Sequence, residues 1–362
     1  MRKIFIAATK QNDGKTTVSL GLLSNFKDGF KKVGFIKPIG QRYLEEVGQK
    51  IDEDSFLIEE VCGIKCGLKD MSPIAVEKGF TEKYIARPDK NSIAKQIKDS
   101  YRRVSKGQDL VVIEGTGHAG VGSVFDHSNA TVAKLLGSKV IIISSGGIGR
   151  PIDEIILNKA LFEREGVKVL GVIVNKVLPT KFDKISRLVR KGLERKGVKV
   201  LGVLPYNPML SQPTIEQILE ETDFEVLSGK ENLERTVSRV IVGAMEPRDA
   251  LKYIVDDSLI ITPGDREDMI KSVLSCFRDS QATRLKVCGM ILSGGIKPDE
   301  PVLALLKNSG IPVLMAESDT YDVATTVHDL TVKLRPRDKE KISAVVKLIK
   351  DYVDLKEIYR GM

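Results

Sequence analysis

From residue 3 to about residue 205 the chain alternates short apolar runs with longer stretches in which apolar residues recur every three or four positions. The runs Lys3–Ala8, Val33–Ile39, Leu110–Glu114, Val140–Ser144, Val169–Val174 and Val200–Leu204 predict strands, and their near-continuous apolar character suits strands covered on both faces. Helical spacing fills the gaps at Thr16–Asn25, Ser92–Val104, Ala130–Leu136, Pro151–Arg164 and Lys181–Lys196, with Pro151 well suited to a first helical turn. This alternation predicts an α/β fold of parallel β-α-β units. The segment Gly166–Val172 recurs as Gly197–Val203, at about the length of one such unit, and a looser echo starts at Leu285-Lys286-Val287. Past Pro208 and Pro213 a second α/β pattern follows, with helices at Ile215–Glu221, Asp265–Cys276 and Glu300–Lys307 and strands at Ser258–Thr262, Val287–Ser293 and Pro312–Ala316. A terminal helix is expected from Asp338 to Tyr359. The expected division is a first domain over 1–210, a smaller one over 211–335 and a C-terminal helix over 336–362.

The join between the first strand and first helix carries the chemistry. Ala8-Thr9-Lys10-Gln11-Asn12-Asp13-Gly14-Lys15-Thr16-Thr17 lies where successive backbone N–H groups and a helix N-terminus point at an anion. Lys15 then reaches the outer phosphate oxygens, and Thr16 places a hydroxyl on a bridging Mg²⁺. Thr9 stands where the first glycine of the usual phosphate loop belongs; the alternative is an ordinary strand-to-helix turn.

Other candidates stand at or near predicted strand ends, where parallel sheets form their ligand crevice. Glu114 closes the strand Leu110–Ile113 and precedes Gly115-Thr116-Gly117; it is either a metal ligand or a solvated strand-end acid. Asp54, in Asp52-Glu53-Asp54-Ser55, is a third oxygen ligand or a carboxylate at a helix N-terminus. Lys37, held extended by Pro38, either faces the crevice to meet a transferred phosphate or an acidic substrate, or belongs to a plain turn. Asn175-Lys176 offers an amide for a purine edge, or a cap. The Ser144–Gly149 run reads as backbone approaching a substrate or a neighbouring subunit, and His118 as a hydrogen-bonded loop residue.

Composition bounds the rest. The chain has 362 residues, 42% hydrophobic and 29% charged, with a net charge of +8, which describes a soluble protein of about two domains. The basic residues read as spread along the chain, and the densest run, Lys181–Lys199, as the solvated side of a helix; no nucleic-acid partner is expected. Met1-Arg2-Lys3 leads straight into a strand, so no signal peptide is expected. No apolar stretch nears the roughly 18 residues that span a bilayer. Four cysteines (62, 66, 276 and 288) with three histidines argue against zinc and for reduced thiols in a cytoplasm.

As a set, Gly14-Lys15-Thr16, Lys37-Pro38, Asp54, Glu114-Gly115 and Asn175 resemble the dethiobiotin synthetase-like group of P-loop ATPases, which includes the cobyrinic acid amide synthases. The resemblance covers residues 1 to about 210 and implies ATP and Mg²⁺ as cofactors. It implies that Asn12, Asp13, Gly14, Lys15, Thr16 and Thr17 hold phosphates, and that Asn175, Lys176 and Pro205 lie on the base side. Thr16, Asp54 and Glu114 would hold the metal, with Lys15 and Lys37 acting on the transferred phosphate and a small acidic substrate. Residues 211–335 resemble the DRTGG module that follows such a domain in the N-terminal half of long phosphotransacetylases. The matching pieces are Pro213-Thr214, Gly243-Ala244-Met245, Thr262–Arg266, Ser293-Gly294-Gly295 and Asp319-Thr320-Tyr321. Such a module implies a homodimer or higher oligomer or a nucleotide sensor, and Lys10 is a candidate for reaching across a dimer. The chain ends at Met362, so acetyl transfer by it alone is not expected. Three roles follow as expectations: an ATPase or ATP-driven ligase acting on a small carboxylate or carbamate, a nucleotide-sensing regulator without turnover, or a dethiobiotin synthetase.

Overall fold

A computed structural model describes residues 1–27, 29–46, 49–278 and 287–362. Leu285 and Lys286, in the looser sequence echo, lie outside the described residues, as does the side chain of Cys276. The chain forms two compact units, Met1–Asn207 with Leu334–Met362, and Pro208–Lys333.

The first unit is built on six parallel strands: β1 (Arg2–Ala8), β2 (Val33–Ile36), β3 (Leu110–Glu114), β4 (Lys139–Ser145), β5 (Val169–Val177) and β6 (Val200–Pro205), in the order β6-β5-β4-β1-β3-β2. Ile4 to Ala8, Leu110 to Ile113 and Val140 to Ile143 are fully buried, as the absence of polar alternation in these runs requires. Helices α1 (Lys15–Phe26), α2 (Glu53–Cys62), α3 (Lys90–Ser105), α4 (Asn129–Leu135), α5 (Arg150–Arg164) and α6 (Phe182–Glu194) lie between the strands in sequence. The expected strand over 33–39 stops at Ile36, because Lys37 and Pro38 leave the sheet, and Ile39–Gly40 pairs instead with Ile74–Ala75. A hairpin of Tyr43–Glu46 and Gln49–Asp52 was not foreseen.

The second unit holds strands β7 (Glu225–Ser228), β8 (Arg239–Val242), β9 (Ser258–Pro263), β10 (Val287–Ser293) and β11 (Val313–Met315) in the order β7-β11-β10-β9-β8, with β7 antiparallel and the others parallel. Its helices include α7 (Ile215–Glu220), α8 (Glu267–Arg278), α9 (Glu300–Lys307) and α10 (Thr320–Asp329). Thr214 starts α7 with a reciprocal cap: its hydroxyl accepts from Gln217 N while Gln217 Oε1 accepts from Thr214 N, satisfying two end donors at once. Two buried clusters form, one drawing on α8 and α9 (Met269, Ile270, Val302, Leu306) and one on α7 and α10 (Ile215, Ile218, Val323, Val327).

The chain then returns to the first unit. The expected terminal helix is two helices, α11 (Lys339–Tyr352) and α12 (Leu355–Gly361), broken at Val353, whose residue bridges Gly202 of β6. Helix α11 packs on α1, where a Cβ at Gly21 would overlap Ile349. Among the described residues no helix is long and apolar enough to cross a membrane.

Candidate functional site

The site lies where β1, β3, β4 and β5 end. Thr9 N–H still donates to Ile143 O at 2.8 Å, after which the chain turns through the phosphate loop and enters α1. Gly14 opens that helix at φ 99, a left-handed conformation that glycine adopts without steric cost, and a Cβ there would also overlap Asn175 Nδ2. Lys15 and Thr16 therefore stand in the first turn of α1.

Register places Glu114 beside Ile6, so the last residue of β3 points its carboxylate at this turn. Thr16 Oγ1 donates to Glu114 Oε1 at 3.0 Å, and Oε2 is buried without a hydrogen-bond partner among the described residues. Burial pushes the Glu114 carboxyl up to about 7; Asp54 adds to the rise, and Lys37, Ser19 and Lys15 oppose it. Lys15 is buried, and among the described residues its ammonium makes no hydrogen bond or ion pair. Burial lowers its pKa, Lys37 works the same way, and Glu114, Asp54 and Asp13 oppose. A buried cation without a paired anion is costly, and an anionic ligand oxygen would relieve that cost.

Lys37 leaves β2 in the direction of the same cluster. Its ammonium pairs with Asp52 Oδ1 at 2.9 Å and with Asp54 Oδ2. Burial alone would lower its pKa, but Asp54, Asp52 and Glu114 outweigh burial and hold it well above its ordinary value. Asp52 doubles as the N-cap of α2, accepting from Asp54 N at 3.0 Å. Lys15, Thr16, Lys37, Asp54 and Glu114 thus come together, and Asp52 joins them. The Asp-Glu-Asp triplet was the available signal for Asp52, but it does not say that both aspartates meet the lysine.

The candidates on the base side act on the loop itself. Asn175 Nδ2 donates to Asp13 O at 2.9 Å, Asn175 Oδ1 accepts from Lys176 N, and Lys176 Nζ donates to Asn12 O at 2.8 Å. Asn12 itself takes φ 64. Thr17 follows in the first turn of α1, half-buried. Pro205 ends β6 beside Val177 of β5. Lys10 is exposed, and its N–H donates to Asp13 Oδ2. His118 is exposed with Nδ1 accepting from Gly120 N, a local loop contact. Asn129, which sequence reasoning missed, holds the segment after Glu114. Its Oδ1 accepts from Thr116 N, and its Nδ2 donates to the carbonyls of Thr116 and His118.

The cysteines stand apart from this cluster: Cys62 and Cys288 are buried, Cys66 is half-buried, and none of these three is in a disulfide. Burial raises each of their pKa values, that of Cys288 to about 12, which leaves them protonated and unreactive.

A parallel sheet with a glycine-containing loop feeding a helix N-terminus, a lysine and a threonine in that first turn, and an acid on the neighbouring strand end together define a P-loop nucleoside-triphosphatase-type domain. The family model described as an AAA domain matches residues 2–214, and the chain belongs to that family. A DRTGG domain matches residues 217–330, so a P-loop domain followed by a DRTGG domain, the arrangement read from the sequence, is what the chain contains. Among curated relatives, "Phosphate acetyltransferase" of Pseudomonas putida is 27% identical over 98% of this chain and 51% of its own length. The "Phosphate acetyltransferase" of Nitratidesulfovibrio vulgaris gives the same identity and the same coverage. The chain therefore spans about half the length of the curated relatives it matches. A putative plasmid partition protein of Borrelia burgdorferi bound to AMPPNP is 14% identical, covering 58% of this chain and 88% of that one, with a TM-score of 0.39; a likeness at that level carries no weight.

Proposed function

We propose that this chain binds ATP as its Mg²⁺ complex at the phosphate loop and works as a nucleotide-responsive regulatory protein, its partner activity being a phosphate acetyltransferase. The observation that carries nucleotide binding is Lys15: a buried ammonium without a hydrogen bond or ion pair among the described residues, in the first turn of α1, beside Thr16 and Glu114. The donor set suits Mg²⁺, which takes hard oxygen ligands, one or two carboxylates and otherwise phosphates and water. Glu114, with its unsatisfied buried Oε2, and the Thr16 hydroxyl would hold it from the protein side, with Asp54 the third candidate. Once bound, the ion would neutralise charge on the phosphates. The names of the relatives support the proposed partner, and the second unit supports a sensing role over a purely catalytic one.

Isothermal calorimetry tests this reading. Wild type takes up one ATP in the presence of Mg²⁺, and Lys15→Ala weakens it at least about 30-fold, the roughly 2 kcal/mol of a charge-assisted contact. Wild type that binds no ATP, or Lys15→Ala that binds as tightly as wild type, ends it.

A second reading, ATP-driven ligation of a small carboxylate or carbamate, is favoured by one feature. The row formed by buried Asp52 and Lys37 with half-buried Asp54 lies beside Glu114, where a second substrate would meet the terminal phosphate. Turnover separates the two. ATP hydrolysis stimulated many-fold by one of a panel of small acids favours the ligase, and tight binding with no stimulation favours the regulator.

A further inference from the structure

Inside the phosphate loop one buried carboxylate has a set of hydrogen-bond partners of its own. Asp13 is 1% exposed. Its Oδ2 accepts from Thr9 Oγ1 at 2.7 Å and from Lys10 N at 3.0 Å, and its Oδ1 accepts from Ser145 Oγ at 2.5 Å. Thr9 Oγ1 also lies 3.3 Å from Ser144 Oγ. Ser145 is the last residue of β4 and Thr9 directly follows β1, so this one side chain fastens the loop to the ends of two adjacent strands.

The loop needs such a fastening. Asn12 at φ 64 and Gly14 at φ 99 flank Asp13, and residues in left-handed conformations persist where their surroundings over-determine them. The carbonyls of Asn12 and Asp13 are already turned toward β5, where Lys176 and Asn175 donate to them. Together the two sets of bonds fix both faces of the peptide that precedes Gly14. A carboxylate this close to a phosphate site would also repel the ligand if it swung outward. The three donors hold it inward, and taking one away both loosens the loop and leaves a buried charge less well compensated.

From this geometry, and resting on the ATP-binding reading above, we infer that Asp13 is a positioning residue which, through Ser145, presets the phosphate loop of this chain for the second phosphate of a nucleotide. The resemblance places Asp13 within the phosphate-holding segment, and its carboxylate is bonded inside that segment and to Ser145.

The test is competition of ADP and of AMP against a fluorescent ATP analogue in wild type, Asp13→Ala, Ser145→Ala, Ser145→Thr and the Asp13→Ala/Ser145→Ala double variant, with thermal unfolding measured without nucleotide. Asp13→Ala and Ser145→Ala are each expected to weaken ADP about 10-fold while AMP, which lacks the second phosphate, changes about 2-fold at most. Ser145→Thr keeps the hydroxyl and restores ADP binding, and the double variant is no weaker than Asp13→Ala alone, because Asp13→Ala already removes the Ser145 contact. Wild-type ADP affinity in both single variants overturns the inference and leaves ATP binding standing. So does equal weakening of ADP and AMP in step with a lower unfolding temperature, which is a structural role alone. If wild type binds neither ATP nor ADP, the nucleotide reading falls and takes this inference with it. Should Asp13→Ala fail to fold, the Ser145→Ala and Ser145→Thr pair decides by the same criteria.

Discussion

Both units of this chain stack helices on a largely parallel sheet, yet they use the carboxyl ends of their strands in opposite ways. In the first unit those ends gather buried charge: Asp13, Lys15, Lys37, Asp52 and Glu114 are all at least nine-tenths buried. In the second unit the buried polar side chains among the described residues are Thr214, Gln217, Ser228, Ser258, Thr262 and Ser293, every one neutral. Thr262 Oγ1 is buried without a partner among the described residues, but the strand-end loops otherwise bond largely within themselves. Arg266 donates to the carbonyls of Gly243, Ala244 and Met245, Ser293 Oγ bonds Thr320 Oγ1, and Gly295 N donates to Ala316 O. Net charge divides the same way. The first unit holds 44 lysines and arginines against 28 acids, and the second 13 against 21. What reads along the chain as an even basic excess is a strongly basic unit joined to an acidic one, and the basic one carries the phosphate loop, where it favours approach of an anion. Shared architecture therefore says little about shared chemistry; the location of buried charge says more.

The sharpest way to break this comparison is to remove the cation at the centre of the buried charges. Lys37→Met leaves Asp52 and Asp54 facing each other without the ammonium that joins them, and breaking a buried pair by deleting one partner costs about 3–5 kcal/mol. Urea unfolding should show that loss, and adding Asp54→Asn to Lys37→Met should recover part of it by removing one of the stranded charges. A cost below about 1 kcal/mol, the level of an exposed pair, would mean that Lys37 is solvated and that the first unit has no special store of buried charge.

Glu114 offers a pH-resolved version of the same test. Its carboxyl in the folded chain lies at about 7, above the ordinary 4.5, so folding favours the protonated form. That contribution is fully present below pH 4.5 and is lost as the pH rises through about 7. Glu114→Gln keeps the shape and removes the titration. The stability of this variant relative to wild type should therefore rise between pH 4.5 and 7, by at most about 1.4 kcal/mol per pH unit, and level off above. A difference that stays flat across this window would place Glu114 in contact with water rather than in a closed cluster.

Much of this contrast was legible in the sequence. The unbroken apolar runs announced a parallel sheet. Lys15 and Thr16 followed from a glycine-containing join between strand and helix, and Glu114 from the rule that strand ends in parallel sheets form the ligand crevice. What stayed hidden depended on long-range packing. Nothing local says that both Asp52 and Asp54 partner Lys37, because that depends on how α2 docks beside β2. Ser145 lies in a Ser-Ser-Gly-Gly run that suggests backbone approach, and its hydroxyl acquires meaning only when β4 is known to neighbour β1. The partner of α11 was equally unreadable. A helix with an apolar face gives no address, and Gly21 marks the docking site on α1 only after Ile349 is seen against it.

The smallest expected effect comes from the second unit, and it sharpens the comparison by bounding it from the other side. Arg266 is its most connected strand-end side chain, bonded to Asp268 at 2.8 and 2.9 Å as well as to the three carbonyls. Its side chain is 29% exposed, the carbonyl contacts are long at 3.1 to 3.5 Å, and water can replace most of what it donates. Arg266→Ala should therefore cost about 1 kcal/mol, the net worth of a few partly solvated hydrogen bonds, and the loss should be independent of pH between 5 and 8 because the guanidinium stays protonated throughout. Urea unfolding of Arg266→Ala beside Lys37→Met puts the two strand-end designs on one scale. A loss as large as that of Lys37→Met would show that the second unit also keeps a desolvated charge at its strand ends, and the distinction between a charged site and a self-satisfied one would fail.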